Sequence, residues 1–447
     1  MSEDIYQTPN ILILVADDAG WEDFGCYGNP YIKTPNVDYL AQNGLKATNA
    51  HLTIAQCSPS RISILTGKYP HATGAEDLHM PMPDSLDILP KFLKKKGYYS
   101  GILKKIHLGN HGKNQFDWYH KDLNTFKDFL NTSATKPFFM WVGFTDPHRP
   151  YKMNVIEKPQ STTQVIVPPY LVDNEDTRKD LANYYNYIRR MDAQIGVYLK
   201  ELKSRKLLDN TLIIFLSDNG APFPRAKGTV YDAGIKTPLI LSWPARIPSA
   251  MQTDELLSVI DLAPTLLDLV GIPQSNKFQG KPIPGLFSEA PIRGRIHVFS
   301  ERNWHNSDEH IRSVRTKKYK LIKNAYINLP LGTASDIGRS LSFKSLLEAK
   351  EKDSLTHAQS RMFEVPRTEF EFYDINNDPY EVNNLINDPN FQQVIVALKA
   401  ELQKWIDQTE DFSPKTRRRP DNVDRFTGEV IDKIRLPDWI EGTVTKN

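Results

Sequence analysis

Asn10-Ile11-Leu12-Ile13-Leu14-Val15-Ala16, closed by Asp17-Asp18, decides the fold. Its apolar residues run without polar alternation, so the segment reads as a strand buried on both faces. Similar short runs lie at 99–103, 137–144, 211–216 and 238–242. Helical patterns separate them. The clearest spans 177–203, with Leu181, Tyr185, Ile188, Met191, Ile195, Leu199 and Leu202 at three- and four-residue spacing. Another covers 254–270 and stops at Gly271. Strands alternating with helices predict an α/β fold, a large mainly parallel sheet flanked by helices.

Working outward, the texture changes after about residue 310. Ile311-Arg312-Ser313-Val314-Arg315 and Tyr319-Lys320-Leu321-Ile322-Lys323 read as a hairpin, and 369–374 as a third strand. An amphipathic helix follows over 391–408, carrying Val394, Ile395, Leu398, Leu402 and Trp405. The expected organisation is a catalytic α/β domain over 1–308. A small antiparallel-sheet subdomain with one helix covers 309–412, and a surface tail covers 413–447, including Arg417-Arg418-Arg419.

Bulk composition narrows the function classes. Lys plus Arg number 56 and Asp plus Glu 54, a net charge of +2, which gives no footprint for a nucleic-acid backbone. No run of 18 apolar residues is present, so no membrane-spanning helix is expected. Residues 1–10 lack the pattern of a secretory signal. The two cysteines, Cys26 and Cys57, are too few for a disulfide framework. Cys26 reads as a small buried hydrophobe.

The chemistry gathers at strand ends. In open parallel sheets, sites form beyond the carboxyl ends of the strands. The first strand is followed by Asp17-Asp18 and the next by Lys104-Lys105-Ile106-His107. The third is followed by Asp146-Pro147-His148 and the fourth by Asp218-Asn219. Asp17, Asp18, Asp218 and Asn219 offer only oxygen ligands, which favours calcium or magnesium over zinc. Taken singly, each could simply turn the chain or cap a helix.

The segment Cys57-Ser58-Pro59-Ser60-Arg61 through Leu65-Thr66-Gly67 is the most informative. Ser58 is placed to cap a helix, Pro59 fits the first turn and Gly67 fits the stop. Cys57 then sits at the positive end of a helix, where anions bind, and Arg61 returns to the same face one turn on. A plain cysteine nucleophile is also consistent with that placement.

Cys57-Ser58-Pro59-Ser60-Arg61 with Leu65-Thr66-Gly67 resembles the signature of the type I, formylglycine-dependent sulfatases. The resemblance extends from Asn10 to about Thr409 and implies an alkaline-phosphatase-like sandwich. It also implies that a separate formylglycine-generating enzyme oxidises Cys57, the hydrated product being the nucleophile. Asp17, Asp18, Asp218 and Asn219 match the family's Ca2+ ligands, with residue 57 completing the set. Lys105 and His107 match its Gly-Lys-x-His-x-Gly pattern, except that Lys104 stands where glycine is usual. His148 and Lys227 match further catalytic positions. Arg61, Lys105 and Lys227 would stabilise sulfuryl charge. Asp218 would deprotonate the attacking hydroxyl, His148 protonate the leaving atom and His107 assist release.

Within the family the chain resembles the heparan N-sulfatase (sulfamidase) branch most, through Asp146-Pro147-His148-Arg149 and Asp218-Asn219-Gly220-Ala221-Pro222-Phe223-Pro224. The implied partner is a sulfated carbohydrate, with N-sulfated and O-sulfated sugars both open. A phosphodiester or phosphonate monoester hydrolase and a non-catalytic glycan binder are the competing readings. The family's usual address is periplasmic or secreted, and a homodimer is among the open assemblies. His79, Arg149, Trp304 and His305 are the candidate substrate contacts, each weighed against ordinary packing.

Overall fold

The computed structural model describes residues 8–273, 277–306 and 309–411. The large sheet is built from β1 (Asn10–Ala16), β2 (Leu45–His51), β3 (Tyr99–Lys104), β4 (Trp118–His120) and β5 (Phe138–Gly143). It continues with β6 (Thr211–Ser217), β7 (Lys236–Ser242), β8 (Met251–Thr253) and β9 (Leu257–Ser258). Its order is β4-β3-β5-β1-β6-β7-β2-β8, with β9 also paired to β2. Among these pairings, only those of β7 with β6 and β2 are antiparallel.

β1 lies at the centre and is buried along its whole length. Period-two alternation divides its side chains between two cores. Leu12, Leu14 and Ala16 join Ile213 and Phe215 of β6 on one face. Ile11, Ile13 and Val15 join Leu212, Ile214 and Leu216 on the other. The Glu175–Ser204 helix covers the first face through Leu181, Tyr185, Ile188, Met191 and Ile195, the stripe its spacing predicts. Among the described residues no helix is long and apolar enough to cross a membrane.

The smaller antiparallel sheet runs β10 (Val298–Arg302), β11 (Ile311–Arg315), β12 (Tyr319–Asn324), β13 (Phe370–Asp374). Val314, Leu321 and Phe372 pack on Ile395, Leu398, Leu402 and Trp405 of the Gln392–Gln408 helix. Ile311, Ile322 and Tyr373 face the main core. A buried polar clip adds to this: Asp232, just before β7, meets Arg315 at 2.9 Å and Lys320 at 2.5 Å.

Two expectations are corrected. The helix predicted over 254–270 is confined to Leu262–Leu269, and Leu257–Ser258 is a strand on β2. A helix begun at 254 would bury Pro264 in its interior, where it lacks an N–H and clashes with the preceding turn; begun at 262, Pro264 falls in the first turn. The small sheet also starts at Val298, before the predicted boundary at 309, because β10 hides its pattern behind the buried charges Glu301 and Arg302. The tail over 413–447 lies outside the described residues.

Candidate active site

Topology alone brings the chemistry together. β1, β2, β3, β5 and β6 run in one direction, so the segments that follow them leave from one edge of the sheet. β7, the antiparallel strand, begins at that edge, and the loop entering it carries Lys227. Asp17-Asp18 follow β1, the Cys57–Thr66 helix follows β2, and Lys105 follows β3. His148 comes after β5 and Asp218-Asn219 after β6.

At the centre, ligand atoms of Asp17, Asp18, Cys57 and Asp218 all lie within 4.8 Å of one another, and all four residues are buried. Cys57 Sγ is 3.7 Å from Asp17 Oδ1 and 3.8 Å from Asp18 Oδ1. Asn219 directs Nδ2 into the cluster, 2.9 Å from Asp18 Oδ1 and 3.3 Å from Cys57 Sγ. Its Oδ1 is buried with no hydrogen-bond partner among the described residues. A buried acceptor without a partner is costly, and turning the carboxamide over would place that oxygen among the carboxylates. Three carboxylates, one such oxygen and the absence of imidazole suit a hard divalent cation.

Cations brace this cluster from outside. Arg61 is fully buried, donating Nε to Asp218 at 2.6 Å and Nη1 to the Lys105 carbonyl at 2.8 Å. That approach depends on Gly143 at the end of β5, where a Cβ would lie 1.7 Å from the Lys105 carbonyl oxygen. Lys105 Nζ is 2.7 Å from Asp17 Oδ2, and Lys227 Nζ is 2.7 Å from Asp18 Oδ2. Burial alone would raise the Asp17 carboxyl, but Lys105 and Arg61 outweigh it and hold the group well below the usual range. Burial carries Asp218 up to about 6 against the pull of Arg61. The Cys57 thiol is pushed far up by burial, despite Lys105 beside it.

The helix cap differs from expectation. The helix begins at Cys57 itself, with Gln56 extended at the cap, while Gly67 takes the left-handed stop as predicted. Ser58 lies inside the first turn, and its hydroxyl accepts the His79 N–H at 2.8 Å. Asp18, His79, Lys104 and His107 all hold positive φ, at 74°, 65°, 65° and 64°. Such conformations are costly for side-chain-bearing residues and cluster at functional sites. Lys104 is exposed, so its conformation explains why glycine suits that position. Lys104→Gly is expected to raise stability by about 0.5 kcal/mol, the left-handed strain relieved less glycine's entropy cost. A higher urea midpoint at unchanged slope, with activity retained, would check this.

His148 stands beside the cluster, its side chain 30% exposed. Its Nδ1 binds the Arg149 carbonyl, which makes Nδ1 the protonated nitrogen of the neutral ring. Nε2 is left 3.8 Å from both Asp18 Oδ2 and Asp336 Oδ2. His107 Nε2 is 2.8 Å from His79 Nδ1, and burial with the charge of Lys105 carries His107 down to about 3.

The candidate substrate contacts divide. His79 is exposed beside His107. Arg149 is corrected: its guanidinium grips Asp180 at 2.6 and 2.7 Å and the Pro222 carbonyl at 2.8 Å, so it holds the fold. Trp304 is corrected too, since it is 2% exposed and packs against Cys57 and Leu78, offering no face to a sugar. His305 is buried against Asn306, its pKa carried down to about 3 by burial and Lys227.

Asp336 escaped the sequence reading. Its Oδ2 lies 3.0 Å from Lys227 Nζ. It stands in an irregular loop with no periodicity and no motif, so nothing in the local sequence marks it.

Sheet, site and sequence place the chain in the sulfatase family, whose profile matches residues 9–272, and its chemistry is that of a sulfuric ester or N-sulfo hydrolase. A second profile, for the C-terminal part of N-sulphoglucosamine sulphohydrolase, matches residues 225–329. The chain is 33% identical to N-sulphoglucosamine sulphohydrolase of Homo sapiens, over 90% of each chain. It is 30% identical to an ulvan-active sulfatase of Formosa agariphila, over 90% of this chain and 75% of that one. Among solved structures, one in complex with its substrate D-glucosamine-2-N,6-O-disulfate superposes with a TM-score of 0.70 at 20% identity. That match covers 92% of this chain and 99% of the other and speaks to the shared fold.

Proposed function

We propose that the chain removes a sulfate group from a sulfated sugar, with residue 57 acting in its formylglycine form beside calcium. The observation that carries this reading is the convergence of Cys57, Asp17, Asp18, Asp218 and Asn219 inside a ring formed by Arg61, Lys105 and Lys227. Asp17, Asp18, Asp218, Asn219 and residue 57 would hold the calcium. The oxidised residue supplies an oxygen nucleophile and the cation supplies charge at the sulfuryl oxygens.

The protein's own groups do the rest. Arg61, Lys105 and Lys227 bring three full positive charges to a water-poor pocket, where they stabilise charge that grows in the transition state. Asp218 accepts the proton of the attacking oxygen. His148, with Nδ1–H tied to a carbonyl, gives the Nε2 proton of its imidazolium form to the departing oxygen or nitrogen and is left as the neutral ring. His107 assists release. The cysteine reaches its active form through a separate oxidising enzyme.

His148→Ala is expected to lower turnover of a sugar sulfate by roughly 100- to 1000-fold, and of an activated aryl sulfate by less than about tenfold. A good leaving group needs little protonation. Equal losses on both substrates would remove His148 from the acid's role.

An N-sulfated glucosamine is the substrate favoured by the C-terminal profile and the 33% identical human relative. The ulvan-active relative supports an O-sulfated sugar as the second reading. Sulfate release from glucosamine N-sulfate and glucosamine 6-O-sulfate, measured side by side, separates them. Release from the first alone assigns His148 a nitrogen to protonate. Release from the second alone leaves the sulfatase chemistry intact and removes the N-sulfo reading.

A further inference from the structure

Asp336 is the acidic residue at the site that the proposed chemistry does not use. Its Oδ2 contacts Lys227 Nζ at 3.0 Å and lies 3.8 Å from His148 Nε2, on the side where the leaving group departs. Its side chain is 21% exposed, whereas those of Asp17, Asp18 and Asp218 are at most 1% exposed. It therefore stands at the rim of the cluster, its carboxylate grouped with that of Asp18 and the His148 ring but more open to solvent than the buried carboxylates. Among the described residues Oδ1 has no hydrogen-bond partner, and it is not enclosed.

The loop that carries Asp336 is anchored. Ala334 and Ile337 on either side are buried, at 1% and 0% exposure. The Ser335 N–H donates to Asn306 Oδ1 at 3.1 Å, and the Gly332 carbonyl accepts Arg302 Nη2 at 2.8 Å. A carboxylate held this firmly presents one oxygen to its cationic neighbours and the other to whatever enters. Such preorganised acceptors discriminate well, because a substrate lacking the matching donor leaves a desolvated charge unpaired.

We infer that Asp336 is a specificity-determining residue that accepts a hydrogen bond from a hydroxyl or amine of the sugar next to the scissile sulfate. It also repels sugars with a carboxylate or second sulfate at that position, since like charges in a confined site oppose each other. The inference rests on the sulfated-sugar reading and sharpens it: the preferred substrate carries a free donor flanking the group removed.

The test uses the matured full chain with glucosamine N-sulfate and glucosamine 6-O-sulfate. Each is compared with derivatives in which one free hydroxyl at a time is O-methylated, and kcat and KM are measured separately. Wild type should lose roughly 10- to 100-fold in kcat/KM for one of these methylations. Asp336→Ala should compress that ratio to within about threefold, and Asp336→Asn, which keeps shape and an acceptor, should fall between. No discrimination by the wild type would overturn the inference without either variant. A preserved ratio in Asp336→Ala, with all substrates slowed alike, would also overturn it and make Asp336 a positioning residue for Lys227. If wild type releases no sulfate from either sugar or from an aryl sulfate, the underlying sulfatase reading fails first.

Discussion

Replacing Cys57 by alanine should lower sulfate release by at least about 10,000-fold, the scale seen when an enzyme loses its nucleophile. The residue stands at the first position of its helix, at the positive end of the dipole, with Asp17, Asp18 and Asp218 around it. Its Sγ occupies the place of the oxygens that the oxidised residue would present. Alanine keeps the helix and removes the atom to which the proposed function assigns both nucleophilic attack and a place in the ligand set. The structural cost is small, because Cys57 packs only with Leu78 and Trp304 in its apolar cluster. Loss of a single sulfur there should cost about 1 kcal/mol. Turnover near background with a melting temperature within a few degrees of wild type is the expected pair of results. Substantial residual turnover would contradict the mechanism.

The second large effect concerns stability. Asp232→Ala should destabilise the protein by about 3–5 kcal/mol, because it leaves the buried Arg315 without its carboxylate and Lys320 with Glu381 alone. Asp232 is 4% exposed and Lys320 is fully buried. Arg315 Nη2 lies 2.9 Å from Asp232, and Lys320 Nζ lies 2.5 Å from Asp232 and 2.7 Å from Glu381. The clip links the short helix before β7 to β11 and β12, so its loss loosens the small sheet from the large one. Burial raises the Asp232 carboxyl, but Arg315 and Lys320 outweigh it and hold the group well below the usual range. A lowered folded-state pKa contributes stability above the unfolded value, about 3.9 for aspartate. That contribution is lost as pH falls below about 4 towards the folded value. Chemical denaturation of wild type and Asp232→Ala at several acidic pH values checks both magnitude and sign; the gap between them should narrow as pH falls.

Where burial follows from continuous apolarity, the sequence was easy to read. β1 and β6 carry unbroken apolar runs and are buried on both faces, which is what a central parallel strand requires. Which segments share an edge was equally legible, because a parallel sheet delivers the ends of its strands to one side. β10 was hidden for the opposite reason. Glu301 and Arg302 are charged and buried, held by contacts to the His71 N–H and the Gly332 carbonyl that no local pattern encodes. Asp336 was hidden because its significance lies in its distance to Lys227, set by a loop more than a hundred residues away. Arg149 sits beside His148 in sequence, yet tertiary contacts turn it, like Trp304, into the interior.

The most direct test of the central claim is a comparison of sulfate and phosphate esters of one sugar alcohol, using protein produced together with the cysteine-oxidising enzyme. Sulfate release should be the faster reaction and should disappear in Cys57→Ala. Faster release of phosphate, or sulfate release that survives the loss of Cys57, would contradict the account.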